Sequence, residues 1–269
     1  MLIKNNSVMI IAASSDIGGY LARHYLKQGA RVFGTYRSLT PEVRRLMAEG
    51  VVFFHLDVSS VDSINEFVSA LRRAEVCWDV LISAPGLLSP IGPFFELDFD
   101  EWERSVIVNS LSQLRVLRAV YPLRTSRHHA KVIFFAGGGT NGSFDNYSAY
   151  CIGKILLIKM TELLDSECPD LHLSTIGTGW VNTKIHNQTL AAGVSAGINL
   201  QQTRRFLQSD GDKGSSLQAV AECIDWCLSA PRAAVSGKNF SLVFDNWRDP
   251  SFIKELEEKR DSYKLRRRV

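Results

Sequence analysis

The stretch that decides the fold is Ser7 to Gly18, which reads Ser-Val-Met-Ile-Ile-Ala-Ala-Ser-Ser-Asp-Ile-Gly. Its first half is a short apolar run, which predicts a buried strand, and the small residues at 13–16 predict a tight turn. A helix pattern follows over residues 17–28, and Gly29 predicts its end. Residues 30–35 predict a second strand. The chain therefore opens with a strand–helix–strand unit.

The same alternation continues along the chain. Five further apolar runs predict strands, at residues 51–56, 79–84, 131–136, 171–176 and 239–244. Helical periodicity covers residues 61–73, 99–120 and 217–228. Strands separated by helices imply a parallel sheet that is covered on both faces. We therefore expect an α/β protein with a single, Rossmann-type doubly wound parallel sheet of about seven strands.

Composition limits the class of protein. The chain has 269 residues, 45% hydrophobic and 22% charged, which is typical of a globular protein. No apolar run approaches the 18 or more residues of a membrane span, and the N-terminus resembles a strand rather than a signal peptide. The five cysteines are odd in number and scattered, and Cys223 and Cys227 have no nearby set of histidines. We expect a cytoplasmic protein with reduced thiols, no membrane association and no metal site.

The basic excess of the chain lies at its C-terminal end. Residues 251–269 hold seven Lys/Arg and four Asp/Glu, a surplus equal to the net charge of +3 of the whole chain. We expect a domain over residues 1–250 and a basic tail over 251–269. A tail that is solvated or docks to another subunit is favoured over an arm that binds nucleic acid.

One pair of side chains suggests proton chemistry. Tyr150 and Lys154 lie four residues apart, which places the phenol and the ammonium on one face of a helix. A cation within about 4–6 Å lowers the pKa of a phenol, so that it can exchange protons near neutral pH. In parallel sheets, ligands bind beyond the carboxyl ends of the strands, where the turn at 13–16 and the glycine-rich turn at 137–139 would also lie. The sequence predicts one cleft that contains all three features.

With these residues in view, the chain resembles the short-chain dehydrogenase/reductase family in its classical form. Residues 11–18 stand where that family carries its T-G-x-x-x-G-I-G cofactor loop, and residues 83–86 where it carries N-N-A-G. Asn109 matches its active-site asparagine, and Tyr150 and Lys154 match its Y-x-x-x-K. Residues 178–183 match its P-G-x-x-x-T segment.

The resemblance implies hydride transfer to or from a nicotinamide. Tyr150 would exchange a proton with the substrate, Lys154 would lower the pKa of Tyr150 and hold the nicotinamide ribose, and Asn109 would order a water molecule. The implied cofactor contacts, besides Tyr150 and Lys154, are Ala12, Ser14, Ser15, Asp16, Ile17, Gly18, Arg37, Asp57, Val58, Ser83, Ala84, Pro85, Gly179, Val181 and Thr183.

The cofactor loop and its neighbours depart from the family's pattern. Ala12 and Asp16 replace two glycines; we expect Ala12 to be tolerated at a negative φ and Asp16 to cap the first helix. Residues 83–86 lose two amides, and Thr178 replaces a proline. The family's catalytic serine falls where this chain has residues 136–138, which offer no hydroxyl. Thr140 is the preferred substitute donor; Ser143, or no substitute, remains open.

Cofactor preference can be read at the end of the second strand. An NAD site uses an acidic residue there to bind the ribose 2′-hydroxyl, whereas this chain has Tyr36 followed by Arg37. An arginine can pair with a 2′-phosphate through charge-assisted hydrogen bonds. The sequence therefore favours NADP(H) over NAD(H).

Residues 184–213 fall where the family keeps its substrate lid. This segment is rich in amide and cationic side chains, which suits a polar substrate, although a solvated loop is an equal interpretation. We expect an NADP(H)-dependent oxidoreductase acting on a polar carbonyl or hydroxyl compound, such as a sugar or nucleotide sugar of a surface-polysaccharide pathway. The alternatives are a cofactor-binding protein without turnover and an epimerase. The resemblance also implies a homodimer or homotetramer, and no nucleic-acid partner is expected.

Overall fold

The computed structural model describes residues 3–209 and 214–267. It contains one sheet of seven parallel strands in the order β3-β2-β1-β4-β5-β6-β7. The strands are β1 Ser7–Ile11, β2 Arg31–Tyr36, β3 Val52–His55, β4 Val80–Ser83, β5 Ala130–Phe135, β6 Leu171–Gly177 and β7 Lys238–Ser241. The sequence-based prediction of a doubly wound parallel sheet is confirmed.

Helices connect the strands. They are α1 Asp16–Lys27, α2 Pro41–Ala48, α3 Val61–Arg73, α4 Phe99–Asn109, α5 Leu111–Val120, α6 Ser148–Glu167, α7 His186–Ala192, α8 Ile198–Gln208, α9 Leu217–Ser229, α10 Arg232–Val235 and α11 Ser251–Glu258. Within the described residues, no helix is both long and apolar enough to cross a membrane.

The sheet is buried because helices pack on both of its faces. All five residues of β1 are buried, and alternate side chains of this strand enter two different apolar clusters. Val8 and Ile10 pack with α1 and α9, whereas Met9 and Ile11 pack with α3 and α5. This is the packing expected of a strand in the middle of a doubly wound sheet.

Three segments differ from their predictions. The helix predicted over 99–120 is interrupted at Ser110, whose backbone (φ −141°, ψ −77°) separates α4 from α5. The segment predicted as irregular contains α7 and α8, although its last residues, 210–213, lie outside the described part of the chain. Residues 251–258 of the basic tail form α11, and Phe252 and Leu256 are buried in the core. This part of the tail therefore packs on the sheet instead of lying in solvent.

Candidate active site

The turn between β1 and α1 is tight and is fixed by its own polar groups. Ser15 caps α1, accepting a hydrogen bond from the Gly18 N–H at 3.1 Å. A Cβ at Gly18 would lie 2.4 Å from the Ala12 carbonyl oxygen, so only glycine fits at that position. The Ala12 N–H donates to Thr35 Oγ1 on β2 at 2.9 Å. The turn thus has the close backbone approach that a phosphate-binding loop needs.

Two expectations for this turn are wrong. Ala12 has φ of +61°, in the left-handed region that favours glycine, so its side chain strains the backbone. Asp16 does not cap α1, since Ser15 does, and Asp16 is the first residue of the helix. Its carboxylate instead accepts the Lys184 backbone N–H at 2.6 Å and lies 3.4 Å from the Lys184 ammonium. Asp16 therefore ties the segment after β6 to the N-terminus of α1.

The ends of β2 and β3 present charged groups at the same edge of the sheet. Arg37 follows β2 and is exposed. Asp57 accepts hydrogen bonds from the Ser59 N–H (2.9 Å) and hydroxyl (2.6 Å). Burial opposes ionisation of Asp57, but the bonds from Ser59 and the charge of Arg37 outweigh it and lower its pKa. Val58 packs against the cluster beneath α3.

Tyr150 and Lys154 lie on one face of α6, near its N-terminus. The Lys154 ammonium is 5.9 Å from the centroid of the Tyr150 ring and donates to the Pro85 carbonyl at 3.1 Å. Burial lowers the pKa of Lys154 to about 8. The expected lowering of the Tyr150 pKa is absent, because burial raises it and the neighbouring Cys151 adds to the effect. In this structure the phenol is therefore protonated at neutral pH.

The turn after β5 meets Tyr150 directly. A Cβ built on Gly137 would lie 2.6 Å from the Cε1, Cζ and Oη atoms of Tyr150. The ring thus occupies the space that a side chain at position 137 would need. Thr140, the predicted substitute donor, lies in the same turn and donates to the Gly137 carbonyl at 3.3 Å. Its hydroxyl is near the site but is engaged within the turn.

Asn109 is buried at the end of α4 and holds the loop after β4. Its Oδ1 accepts the Leu87 N–H at 3.0 Å, and its Nδ2 donates to the Leu87 carbonyl at 2.6 Å and to the Ser105 carbonyl at 2.9 Å. Gly153 of α6 lies against it, since a Cβ there would be 2.6 Å from that of Asn109. The amide expected to order a water molecule is therefore bonded to protein backbone.

Sequence reasoning missed Gln113, which links the end of β4 to the interruption between α4 and α5. Its Oε1 accepts the Ser83 hydroxyl at 2.8 Å, and its Nε2 donates to the carbonyls of Pro85 (3.3 Å) and Asn109 (3.0 Å). Gln113 is buried, and the apolar periodicity of this helix gave no signal that could have distinguished it. The hydrogen-bond partner of the Ser83 hydroxyl is therefore Gln113 of α5, which lies outside the altered N-N-A-G segment. Ala84 donates its N–H to the Ile11 carbonyl, joining the ends of β4 and β1.

The segment after β6 lies across the site. Gly179 has φ of +67°, and Val181 is buried. Thr183 accepts the backbone N–H of His186 as α7 begins. Two contacts hold α7: Gln188 Oε1 accepts the N–H groups of Leu88 and Ser89 at 2.9 and 3.0 Å, and the Thr189 hydroxyl lies 2.8 Å from that of Tyr147. The predicted lid is therefore attached to the loop after β4 and to the segment before α6.

The structure brings the predicted residues to one edge of the sheet. The turn around Ala12, Ser14, Ser15 and Gly18 fits a dinucleotide diphosphate by its close backbone approach, and Ile17 packs into the core behind it. Arg37 and Asp57 lie just beyond the carboxyl ends of β2 and β3, at the same edge of the sheet. The carboxylate of Asp16 bonds to Lys184 of the lid instead.

Known proteins resemble this chain along most of its length. A model of the short chain dehydrogenase family matches residues 6–194. The NADP-dependent 3-hydroxy acid dehydrogenase of Schizosaccharomyces pombe is 26% identical over 191 residues, 68% of this chain and 74% of that protein. Among solved structures, a short chain dehydrogenase/reductase of Saccharomyces cerevisiae has a TM-score of 0.78 at 19% identity, covering 92% of this chain and 98% of that one.

A second solved structure is a short chain dehydrogenase from Shigella flexneri 2a, in complex with NADP. Its TM-score is 0.75 at 18% identity, with 90% of this chain and 98% of that chain covered. At such identities the two structures establish the fold alone. The family model, by contrast, covers more than half of the sequence, including the β1–α1 turn, Asn109, Tyr150 and Lys154. The chain belongs to the short-chain dehydrogenase family.

Proposed function

We propose that the protein is an NADP(H)-dependent oxidoreductase that transfers a hydride to or from a carbonyl or hydroxyl compound. The observation that carries the proposal is the placement of Tyr150 and Lys154 on one face of α6, at the edge of the sheet that also bears the β1–α1 turn. Membership of an oxidoreductase family supports the class of reaction.

Tyr150 is the proposed proton donor. Its raised pKa keeps the phenol protonated, so that it can donate to a carbonyl oxygen as negative charge develops there. A bound nicotinamide supplies the hydride in this direction and accepts it in the reverse one. Lys154, with a pKa of about 8, is largely protonated at pH 7, and its proposed role is to hold the nicotinamide ribose beside Tyr150.

Three other side chains have supporting roles in this proposal. Asn109 and Gln113 are positioning residues, because they fix the loop that presents the Pro85 carbonyl to Lys154. Thr140 is the proposed second donor to the substrate oxygen, once its hydroxyl rotates away from the Gly137 carbonyl. A donor of this kind contributes about 10²–10³ in rate in other enzymes.

The preference for NADP(H) rests on the end of β2. Arg37 is exposed and close enough to Asp57 for its charge to act on that carboxylate. Such an arginine can bind a 2′-phosphate, and Tyr36 replaces the acidic residue that would bind a 2′-hydroxyl. The relative from Schizosaccharomyces pombe is NADP-dependent by name, which supports the same choice.

Cofactor titration tests the proposal. NADPH should quench tryptophan fluorescence and raise the melting temperature at lower concentrations than NADH, and Arg37→Glu should reverse that order. Tyr150→Phe should bind NADPH as the wild type does while slowing carbonyl reduction by about 10²–10⁴. Failure of both cofactors to bind would overturn the function.

A second candidate, a cofactor-binding protein without turnover, is favoured by one observation. The Tyr150 hydroxyl packs at the position where the family's serine would stand, so the site has one oxygen donor fewer. Tight NADPH binding together with no reduction of any carbonyl compound would select this candidate over the enzyme.

The prediction of a sugar substrate remains a prediction. It rests on the amide side chains of the lid, and two of these, Gln188 and Asn199, are bonded to backbone groups. Self-association likewise remains a proposal. It is supported by exposed apolar side chains on α5 and α6, namely Leu111, Ile152 and Leu163, and is tested by the mass of the protein in solution.

A further inference from the structure

A third apolar cluster surrounds Tyr150, separate from the two that flank the sheet. Leu88 and Ile91 of the loop after β4 pack there with Ala196 and Leu200 of the lid. Phe144, Ile185 and Tyr150 are partly buried members of the same cluster. The apolar cluster therefore joins the proposed proton donor to the lid and to the loop that faces it.

One hydroxyl of the lid reaches this cluster, since that of Thr189 lies 2.8 Å from the hydroxyl of Tyr147, a buried member, whereas two amides and one imidazole of the lid bond to backbone groups. Gln188 accepts two backbone N–H groups of the facing loop, and Asn199 Nδ2 donates to the Asp145 carbonyl at 3.1 Å. His186 stacks on Trp180 and its Nε2 lies 2.9 Å from the Val181 carbonyl. The remaining amide and cationic residues of α8 are exposed, namely Gln201, Gln202, Arg204, Arg205 and Gln208. The groups that suggested a polyhydroxylated substrate are thus bonded to the protein or turned to solvent.

The cations nearest the cluster are also engaged. Lys154 donates to the Pro85 carbonyl, and the Lys184 ammonium lies 3.4 Å from Asp16 with its side chain 76% exposed. Burial lowers the pKa of His186, which keeps the ring neutral at pH 7. Lys184 and His186 thus offer no buried positive charge to an acidic substrate, and the buried ammonium of Lys154 is directed at the Pro85 carbonyl.

Apolar surface continues from the cluster to the outside of the molecule. Phe95, in the segment before α4, is 96% exposed, and Val194 of the lid is 90% exposed. The two segments lie side by side, since a Cβ at Gly92 would be 3.8 Å from the Cβ of Ser195. A contiguous patch of exposed apolar side chains is a common mark of a ligand-binding or interaction surface.

We propose that the substrate carries an aliphatic or aromatic group next to its reacting carbonyl or hydroxyl, and that this group replaces lid contacts in the apolar cluster around Tyr150. The inference rests on the proposed function and names the substrate class of the same site. Because each buried methylene adds to affinity, binding should strengthen roughly fourfold per CH₂ until the cluster is filled.

Ligand binding tests the proposal without requiring turnover. Straight-chain primary alcohols from butanol to octanol are titrated calorimetrically into the protein saturated with NADPH, with a six-carbon hexitol as the polar match to hexanol. The dissociation constant should fall about two- to fourfold per methylene, and the hexitol should bind at least 100-fold more weakly than hexanol. A constant that does not change with chain length, or tighter binding of the hexitol, overturns the inference.

Variants locate the binding site. Leu200→Gln should weaken octanol binding at least tenfold, while Leu190→Gln, at an exposed position of the same lid, should leave it unchanged. Leu200→Met keeps the site apolar and should retain octanol binding, which separates loss of the site from loss of the fold. Equal octanol affinity in Leu200→Gln and the wild type overturns the inference. If NADPH itself does not bind, the proposed function fails and this inference with it; NADPH binding without chain-length dependence overturns this inference alone.

Discussion

Two turns of the site depart from the family's pattern in opposite directions. The turn after β1 carries side chains, Ala12 and Asp16, where the family has glycines, whereas the turn after β5 has Gly137 where the family has serine. The first turn keeps its shape and accepts backbone strain, with φ of +61° at Ala12. In the second, the Tyr150 ring occupies the space that a side chain at position 137 would need. In the first turn the backbone adopts a strained conformation around the extra side chain, and in the second a neighbouring ring fills the space of the missing one.

The largest effect is expected beside the second turn, at Lys154. Burial lowers its pKa from 10.5 in the unfolded chain to about 8, so the unfolded chain binds more protons between these values. The free energy of unfolding of the cofactor-free protein should therefore rise with pH from about 8 to 10. Lys154→Met should reduce this rise, to which the buried Lys131 and Lys238 also contribute, and add roughly 3 kcal/mol at pH 7, measured by urea denaturation.

Lys159→Met is the matched control, because it removes an exposed lysine from the same helix. It should leave the pH dependence as in the wild type. Because burial raises the pKa of Cys151 to about 11, which lowers stability above about pH 9, the comparison is between variants. The same pH dependence in Lys154→Met and in the wild type would show that Lys154 is already solvated.

Gly137→Ser, which restores the family's hydroxyl, should lower activity instead of raising it. The new Cβ would be 2.6 Å from three atoms of Tyr150, so the ring must move from its place in the apolar cluster. Overpacking of this kind costs about 1–3 kcal/mol, and we expect at least a tenfold loss in kcat/KM and a lower melting temperature. Gly142→Ser is the control, since nothing lies within 4 Å of its Cβ position. A gain in rate for Gly137→Ser would mean that Tyr150 moves freely.

Asp16→Gly should tighten NADPH binding by several fold. The carboxylate stands at the N-terminus of α1, where a diphosphate would bind, and two such charges about 4 Å apart repel by about 1 kcal/mol in water. Asp16→Asn keeps an acceptor for the Lys184 N–H and should give most of the same gain if charge is the cause. Glu66→Gln makes the same charge change on an exposed face of α3 and should have no effect in a fluorescence titration. Weaker binding in Asp16→Gly would show that the contact with Lys184 helps to form the site.

The smallest effect is expected at Ala12. Ala12→Gly relieves the left-handed strain but gives the unfolded chain more freedom, so the net gain should be below about 1 kcal/mol. Ala13→Gly, at the next position, should be destabilising, because Ala13 is buried and has no such strain. Thermal unfolding of the two variants should therefore shift in opposite directions. Equal decreases in melting temperature for Ala12→Gly and Ala13→Gly would contradict the presence of strain at Ala12.

The positions of the strands were predictable because burial on both faces requires continuous apolar runs. The predicted strand at 171–176 and β6 differ by one residue, and the helix predicted over 61–73 matches α3. The interruption at Ser110 was not predictable, since it depends on Asn109 binding the backbone of a loop about 20 residues earlier in the chain. Apolar periodicity records which face of a helix is buried, and it continues through such a break.

The sequence predicted which residues form the candidate site better than it predicted the contacts that they make. Spacing and family motifs placed Tyr150 and Lys154 together, but nothing local indicates that Lys154 donates to Pro85. Asp16 was expected to cap α1 because its residue type suits that role, yet Ser15 is one position better placed. Its actual partner, Lys184, is 168 residues away, and a contact of that range is formed only by the folded sheet.

The contact between Gly137 and Tyr150 also limits how this site can be redesigned. Because the ring occupies the place of a side chain at position 137, the two positions do not accept changes independently. A serine at position 137 displaces the ring and disturbs the apolar cluster around it. A hydroxyl added there therefore needs a compensating change around Tyr150, whereas the hydroxyl of Thr140 is already present in the turn.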